Sequence, residues 1–114
     1  MKIIKCNNGN IMGVLKEVSD VSDKILSANS VDASFEKHIP NYEIIGDEVK
    51  LYVSHVMEED HYIEWIMADY GDKEIIKHLK PHEEPMVVVP YQEGMKAYSY
   101  CNKHSLWLKD KIER

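Results

Sequence analysis

Short stretches of alternating apolar and polar residues run along the chain, and turn residues separate them. Val49–Val56 follows a Gly-Asp pair and alternates with a period of two residues, as does Met95–Cys101. This period is typical of a β-strand with one buried face. The same reasoning predicts strands in four further segments: Met12–Leu15, His61–Tyr70, Lys73–Lys80 and Pro85–Pro90.

The segment Lys73–Lys80 is ambiguous, because the spacing of Ile75, Ile76 and Leu79 also fits a helix. A Gly-Asp pair before it and a proline after it favour a strand. About six or seven short strands, spaced about 8–12 residues apart, are typical of an all-β domain. We therefore predict an antiparallel β-sandwich.

The first part of the chain is less regular. Asn7–Asn10 is a turn signal, and Ser19–Ser34 is rich in Ser, Asp and Asn. We interpret the second segment mainly as a loop. It separates the short strand predicted at Met12–Leu15 from the strand-rich remainder of the chain.

Length and composition fit one domain of 114 residues, of which 44% are hydrophobic and 30% charged. No apolar stretch approaches the about 20 residues that a membrane span needs. Met1–Asn8 lacks the long apolar region of a secretory signal. Two cysteines, Cys6 and Cys101, do not make a disulfide framework. We therefore expect a cytoplasmic protein without membrane contact.

The net charge is −6, from 20 acidic and 14 basic residues. An acidic chain of this kind does not have the excess of basic residues that is typical of nucleic-acid-binding proteins. Residues 1–34 are neutral, so the whole excess of acidic residues lies in 35–114. An acidic body repels a small anion at long range, so an anionic substrate would need a local positive charge. Lys37 and Lys103, which stand next to His38 and His104 in the sequence, could provide it.

Five side chains could bind one metal ion: His38, His55, His61, Cys101 and His104. Four imidazoles and one thiolate suit a first-row transition metal, and they suit calcium or magnesium poorly. Five donors would leave one octahedral position free, whereas a structural zinc site is normally closed by four ligands. The number of donors therefore indicates a chemical role for the ion.

Taken singly, each group of donors has a simpler explanation. His55 and His61 bracket a polar segment between two strands, and a bare pair at this spacing is more often two surface histidines. His38 precedes Ile-Pro and should be extended, but alone it is more often a surface or core residue. Cys101 and His104 are a stronger pair, at the end of a strand, yet such pairs also occur by chance. Three further candidates have no comparable partners: His78, His82 and Cys6.

Three segments, in order, resemble the motifs of the superoxide reductases, the neelaredoxin and desulfoferrodoxin family. Asn29–Pro40 is similar to the active-site loop of that family, and His55–Ile66 to its histidine pair and following strand. Cys101–Trp107 resembles its C-terminal Cys-Asn-x-His-Gly-Leu-Trp motif. The resemblance covers about residues 28–110. Ser105 stands where the family usually has glycine, so a positive φ there would strain the serine.

The resemblance implies an immunoglobulin-like antiparallel β-sandwich of about seven strands, over residues 28–114, that holds one mononuclear iron. It implies four equatorial imidazoles and one axial thiolate: His38, His55, His61, His104 and Cys101. Glu36 would match the carboxylate that occupies the sixth position on ferric iron. Lys37 would match the basic residue beside it.

The activity implied by the resemblance is the one-electron reduction of superoxide to hydrogen peroxide at this iron. Lys37 would draw in the anion and organise water for protonation, and the axial thiolate would promote electron transfer and product release. An electron donor, typically rubredoxin in the family, would return the iron to the ferrous state. The family also implies a homo-oligomer, a dimer or tetramer, and exposed β edges favour pairing.

Cys6–Asn10 resembles the opening of the desulforedoxin-like domain of desulfoferrodoxins, which holds a second iron with four cysteines. Only Cys6 is present in this part of the chain, and no adjacent cysteine pair follows. A four-cysteine centre cannot be built from one cysteine. We therefore expect a vestigial extension over residues 1–27 without metal, and one iron per chain.

Two other functions stay open on the sequence alone. The protein could be a non-catalytic metal-binding sandwich, either a zinc-stabilised module or a metal store. It could also be an electron-transfer protein, although an open reactive position on the iron would be a liability there. Glu36 and Lys37 favour the enzyme, because metal storage needs neither residue.

Overall fold

The computed structural model describes residues 2–5, 11–14, 24–30 and 33–114. These residues form ten β-strands and one short 3-10 helix, Phe35–Lys37. Cys6 and the predicted turn at Asn7–Asn10 lie outside the described residues. In chain order the strands are β1 (Lys2–Lys5), β2 (Ile11–Val14), β3 (Lys24–Ile25), β4 (Asn41–Ile45), β5 (Glu48–Tyr52), β6 (Ile63–Asp69), β7 (Glu74–His78), β8 (Met86–Pro90), β9 (Met95–Cys101) and β10 (Ser105–Ile112).

Strands β4 to β10 form two antiparallel sheets. One has the strand order β10-β9-β6-β7 and the other β4-β5-β8. The predicted seven-stranded antiparallel sandwich is therefore confirmed. Strands β1 to β3 form a separate antiparallel sheet in the order β2-β1-β3. Among the described residues, no helix is both long and apolar enough to cross a membrane.

All six segments predicted as strands overlap observed strands. Lys73–Lys80 contains β7, so the flanking Gly-Asp and Pro gave the correct assignment there. Strands β1, β4 and β10 are additional to the predictions, and β3 falls within Ser19–Ser34, where the sequence predicts mainly a loop. In β4, Tyr42 and Ile44 pack against the core and alternate with exposed residues, as in an edge strand.

The core lies between the two sheets and is formed by alternate residues of the central strands. It includes Val49, Leu51, Ile63, Ile66, Ala68, Met95, Ala97, Cys101 and Ile112. A second cluster lies on the other face of the four-stranded sheet, with Leu26 and Ala28 packed against it: Trp65, Met67, Tyr98, Tyr100 and Leu106. The core extends to Cys101, the last residue of β9, so the thiol is held at the end of the sandwich by buried apolar neighbours.

Candidate metal centre

The five candidate donors meet at one end of the sandwich. Cys101 is the last residue of β9, and His104 lies in the turn between β9 and β10. His55 follows β5, and His61 shortly precedes β6. His38 comes from the loop directly after the 3-10 helix. Five separate chain positions are thus brought together by strand ends and one loop.

The donor atoms of these five side chains all lie within 4.8 Å of one another. His38 Nε2 is 3.0 Å from His104 Nδ1, and Cys101 Sγ is 3.6 Å from His55 Nε2 and 3.8 Å from His104 Nδ1. With metal–nitrogen bonds of about 2.1 Å, two nitrogens at a right angle around an ion are about 3.0 Å apart. The separations therefore fit ligands of a single ion.

Two of the histidines are oriented by backbone carbonyls. His38 Nδ1 is 2.6 Å from the oxygen of Ser34, and His55 Nδ1 is 2.5 Å from the oxygen of Val56. Since a carbonyl only accepts, both Nδ1 atoms carry the hydrogen and donate it. Each Nε2 then has its lone pair free toward the cluster, which is the state in which an imidazole binds a metal.

His61 provides an independent indication of a bound ion. Its Nε2 is buried and has no hydrogen-bond partner among the described residues. A buried polar atom without a partner is costly and calls for an explanation. An ion held by the neighbouring nitrogens and thiolate would satisfy this atom.

Burial lowers the pKa of His38 and of His55, and the neighbouring imidazoles lower both further, against the opposing effect of the backbone hydrogen bonds. The neutral imidazoles needed for metal binding are therefore favoured. Burial raises the pKa of the Cys101 thiol, while the N–H groups of Lys103 and His104 oppose the rise. A bound cation deprotonates a coordinating thiol outright.

Asn102 links the Cys101–His104 turn to the segment that carries His61. Its side-chain oxygen accepts a hydrogen bond from the Tyr62 N–H at 3.0 Å, and its amide donates to the Asp60 oxygen at 2.9 Å. Asn102 lies within the Cys101–Trp107 motif, but its position in the sequence does not predict these contacts. The turn ends at Ser105 with φ 66°, the left-handed conformation that the glycine of the resembled motif suggested.

A surface cleft of about 430 Å³ opens onto the imidazoles. Lys37 lines this cleft, as does Glu58, for which the sequence predicts no role. The only signal for Glu58 was its position between His55 and His61. Glu36 lines a neighbouring depression together with Phe35 and other residues. The two residues of the predicted Glu-Lys pair therefore face different surface features in this structure.

Comparison with known proteins agrees with the geometry. The sequence profile of the Desulfoferrodoxin family matches residues 30–110. A desulfoferrodoxin from Desulfarculus baarsii is 38% identical, over 94% of this chain and 94% of its own length. A superoxide reductase from Pyrococcus horikoshii is 35% identical, over 68% of this chain and 88% of its own.

A solved structure is also similar. The crystal structure of the superoxide reductase from Treponema pallidum has a TM-score of 0.76 and 26% sequence identity to this chain. The match covers 96% of this chain and 100% of that one. The sequence and structure comparisons thus agree with the three ordered motifs, the seven-stranded sandwich and the cluster of four imidazoles and one thiol. The chain belongs to the desulfoferrodoxin and superoxide reductase family.

Proposed function

We propose that this protein is a superoxide reductase with one mononuclear iron per chain. The observation that carries the proposal is the cluster of five donor atoms within 4.8 Å, with an open cleft beside it. Iron is the metal that the family implies, and a set of imidazoles with one thiolate suits it. A closed cluster would suit a store or a structural zinc, whereas this one is accessible to a small anion.

The four imidazoles and the Cys101 thiolate would hold the iron. When bound there, ferrous iron supplies one electron to superoxide, which also takes up two protons and becomes hydrogen peroxide. Neutral imidazoles leave positive charge at the site, which favours an anionic substrate. The N–H groups of Lys103 and His104, directed at the Cys101 sulfur, moderate how much electron density the thiolate donates.

Lys37 and Glu36 are proposed to act from the loop beside the cleft. The Lys37 ammonium draws the anion into the cleft and organises water from which the product is protonated. Glu36 is proposed as the carboxylate that binds the ferric state after product release. Because it lines the neighbouring depression, this role requires the 3-10 helix to turn toward the cleft.

A small reduced electron carrier such as rubredoxin would deliver the electron at the exposed cleft. The protein would act in the cytoplasm as a dimer or tetramer. Residues 1–27 would be a vestigial extension without metal, since the chain has two cysteines in all and a four-cysteine iron centre needs four.

The product ratio tests the proposed activity. Anaerobically reduced protein is mixed with superoxide, and peroxide and oxygen are both measured. A reductase forms one hydrogen peroxide for each superoxide and no oxygen, while a dismutase forms half as much peroxide together with oxygen. Superoxide that decays no faster with the protein than by its spontaneous disproportionation would show a metal store instead. A Cys101→Ser variant controls for reaction outside the centre.

A further inference from the structure

His38 is attached to the fold differently from the other four donors. Those four lie at the end of β9, in the β9–β10 turn or in the β5–β6 connection, whereas His38 lies in the connection that leads from β3 to β4, directly after the 3-10 helix Phe35–Lys37. Loops vary and move more than the strands that they connect. The same loop carries Lys37 to the cleft. Its position relative to the other donors therefore needs its own contacts.

Trp107, in β10, contacts this loop at two places. Its ring is stacked on the ring of His38, with centroids 4.8 Å apart and an interplanar angle of 27°. It also meets the ring of Phe35 edge-on, at 5.4 Å and 66°. Trp107 is 0% exposed, so its ring has little freedom to move. The two contacts lie on either side of Glu36 and Lys37.

The same indole is connected to a second donor. Trp107 Nε1 donates a hydrogen bond to the backbone oxygen of His104 at 3.0 Å. One side chain thus links the loop that carries His38 to the turn that carries His104. The inward nitrogens of these two histidines are 3.0 Å apart.

Ser99 supports the arrangement from the neighbouring strand. It lies opposite Trp107 in the pairing of β9 with β10 and is fully buried. Its hydroxyl donates to the backbone oxygen of His38 at 2.5 Å. The His38 backbone is therefore fixed by Ser99 and its ring by Trp107.

We propose that Trp107, supported by Ser99, is a positioning residue of the metal centre. It fixes His38 and His104 relative to each other and holds the Glu36–Lys37 segment beside the cleft. The inference rests on the metal site of the proposed function. Residues that orient metal ligands without touching the ion typically change metal affinity by about 10–100-fold when they are substituted.

The test compares Trp107→Phe with Trp65→Phe as a matched control. Trp65 is also buried, but it packs in the second cluster, where its ring stacks on Tyr100. Metal-free protein is titrated with Co²⁺, whose visible bands report both affinity and ligand geometry. We expect Trp107→Phe to bind Co²⁺ about tenfold more weakly or worse, with shifted bands. Trp65→Phe should match the unsubstituted protein within about twofold, even where thermal unfolding shows equal destabilisation of both variants.

A second variant keeps the test decisive if Trp107→Phe does not fold. Ser99→Ala removes only the hydroxyl and should weaken Co²⁺ binding in the same direction. Equal affinities and identical bands for the Trp107 and Trp65 variants would overturn the proposal, as would an unchanged Ser99→Ala protein. No superoxide is involved in this titration. A protein that binds Co²⁺ as predicted but does not reduce superoxide would refute the proposed activity alone.

Discussion

Ser105 has a backbone conformation that serine disfavours. Its φ of 66° lies in the left-handed region, which costs an L-residue about 1–2 kcal/mol. Glycine lacks that penalty but loses more backbone entropy on folding, by about 0.5–1 kcal/mol. Ser105→Gly should therefore stabilise the protein by up to about 1 kcal/mol, measured by chemical denaturation of the metal-free form. Ser105→Ala keeps Cβ and should give no gain; a destabilised glycine variant would contradict this account.

The burial of Glu74 predicts that the stability of the protein depends on pH. Its Oε2 is buried without a hydrogen-bond partner among the described residues. Burial raises the pKa of this carboxyl, and the nearby charge of Asp69 raises it further. The unfolded chain therefore releases this proton at a lower pH than the native protein does. As a result, the contribution of Glu74 to stability falls as pH rises from 4.5, the ordinary value, through the native pKa.

Glu74→Gln should consequently raise the free energy of unfolding at pH 7, and this gain should shrink as pH falls through 4.5, since the carboxyl becomes protonated in both states. Denaturation curves at pH 7 and pH 4 measure the difference. The exposed Glu84 serves for comparison, because Glu84→Gln should change stability little at either pH. A Glu74→Gln protein that gains equally at both values would show that its effect is not electrostatic.

At the residue scale, the donors were predictable because imidazole and thiolate are recognisable as metal ligands wherever they occur. The residues that support the donors could not be predicted in this way. Asn102, Ser99 and Trp107 act through contacts with segments distant in sequence, and nothing in their chemistry alone indicates those contacts. Glu58 was visible between two candidate ligands, but only the fold showed that it lines the cleft.

At the scale of elements, Asn29 connects the N-terminal part of the chain to the edge of β10. Its backbone N–H donates to the Leu106 oxygen at 2.9 Å. Its side chain accepts from the Leu108 N–H at 2.9 Å and donates to the Leu108 oxygen at 3.3 Å. Asn29 thus occupies the place of a neighbouring strand at this edge, with the positive φ of 56° that asparagine tolerates better than most residues.

Asn29→Ala should cost about 3 kcal/mol, because two hydrogen bonds worth about 1 kcal/mol each are lost and alanine pays about 1 kcal/mol more at this φ. Asn29→Gly loses the same two hydrogen bonds but adopts this φ without strain, so it should cost about 2 kcal/mol. In both variants the Leu108 amide should exchange its hydrogen faster, which hydrogen-exchange mass spectrometry or NMR measures. Unchanged protection of that amide would mean that the side chain of Asn29 does not hold this edge.

The strands themselves were predicted where alternation was strong and turn residues stood at both ends. β4 was missed although Tyr42 and Ile44 alternate with polar residues, since five residues at a sheet edge give a weak pattern. β10 was missed because it begins at Ser105, in a conformation that strands do not use, and a register shift interrupts its pairing with β9. Both strands depend on their partners more than on their own sequence.

For the whole molecule, the net charge of −6 opposes the approach of an anion, so the charges at the cleft matter most. Lys37 and Glu58 line the same cleft with opposite signs. A unit charge about 8 Å from the path in water changes the local anion concentration about twofold. Lys37→Ala should therefore slow the reaction with superoxide, and Glu58→Gln should speed it, each by about twofold at low salt.

Pulse radiolysis measures both rates across a range of ionic strength. Each effect should shrink as salt is added, since salt screens exposed charges. Iron content should remain equal in the two variants and the unsubstituted protein. Rates that do not depend on either charge at any ionic strength would argue against steering by these residues.

The assembly of the centre is also a property of the whole molecule. The sequence indicated which five side chains could share an ion, and the three ordered motifs indicated the family. Only the folded sandwich brings residues 38, 55, 61, 101 and 104 within 4.8 Å. In the folded protein, Lys37 lines the cleft and Glu36 lines the neighbouring depression, because the 3-10 helix directs adjacent side chains to different sides.

The most direct measurement of the central claim is X-ray absorption at the iron edge of the reduced protein, together with iron content per chain. We predict one iron per chain, with imidazole nitrogens and a single sulfur in its coordination shell. Cys101→Ser should remove the sulfur signal. An iron with no sulfur neighbour, or one surrounded by several sulfurs, would contradict the proposed centre.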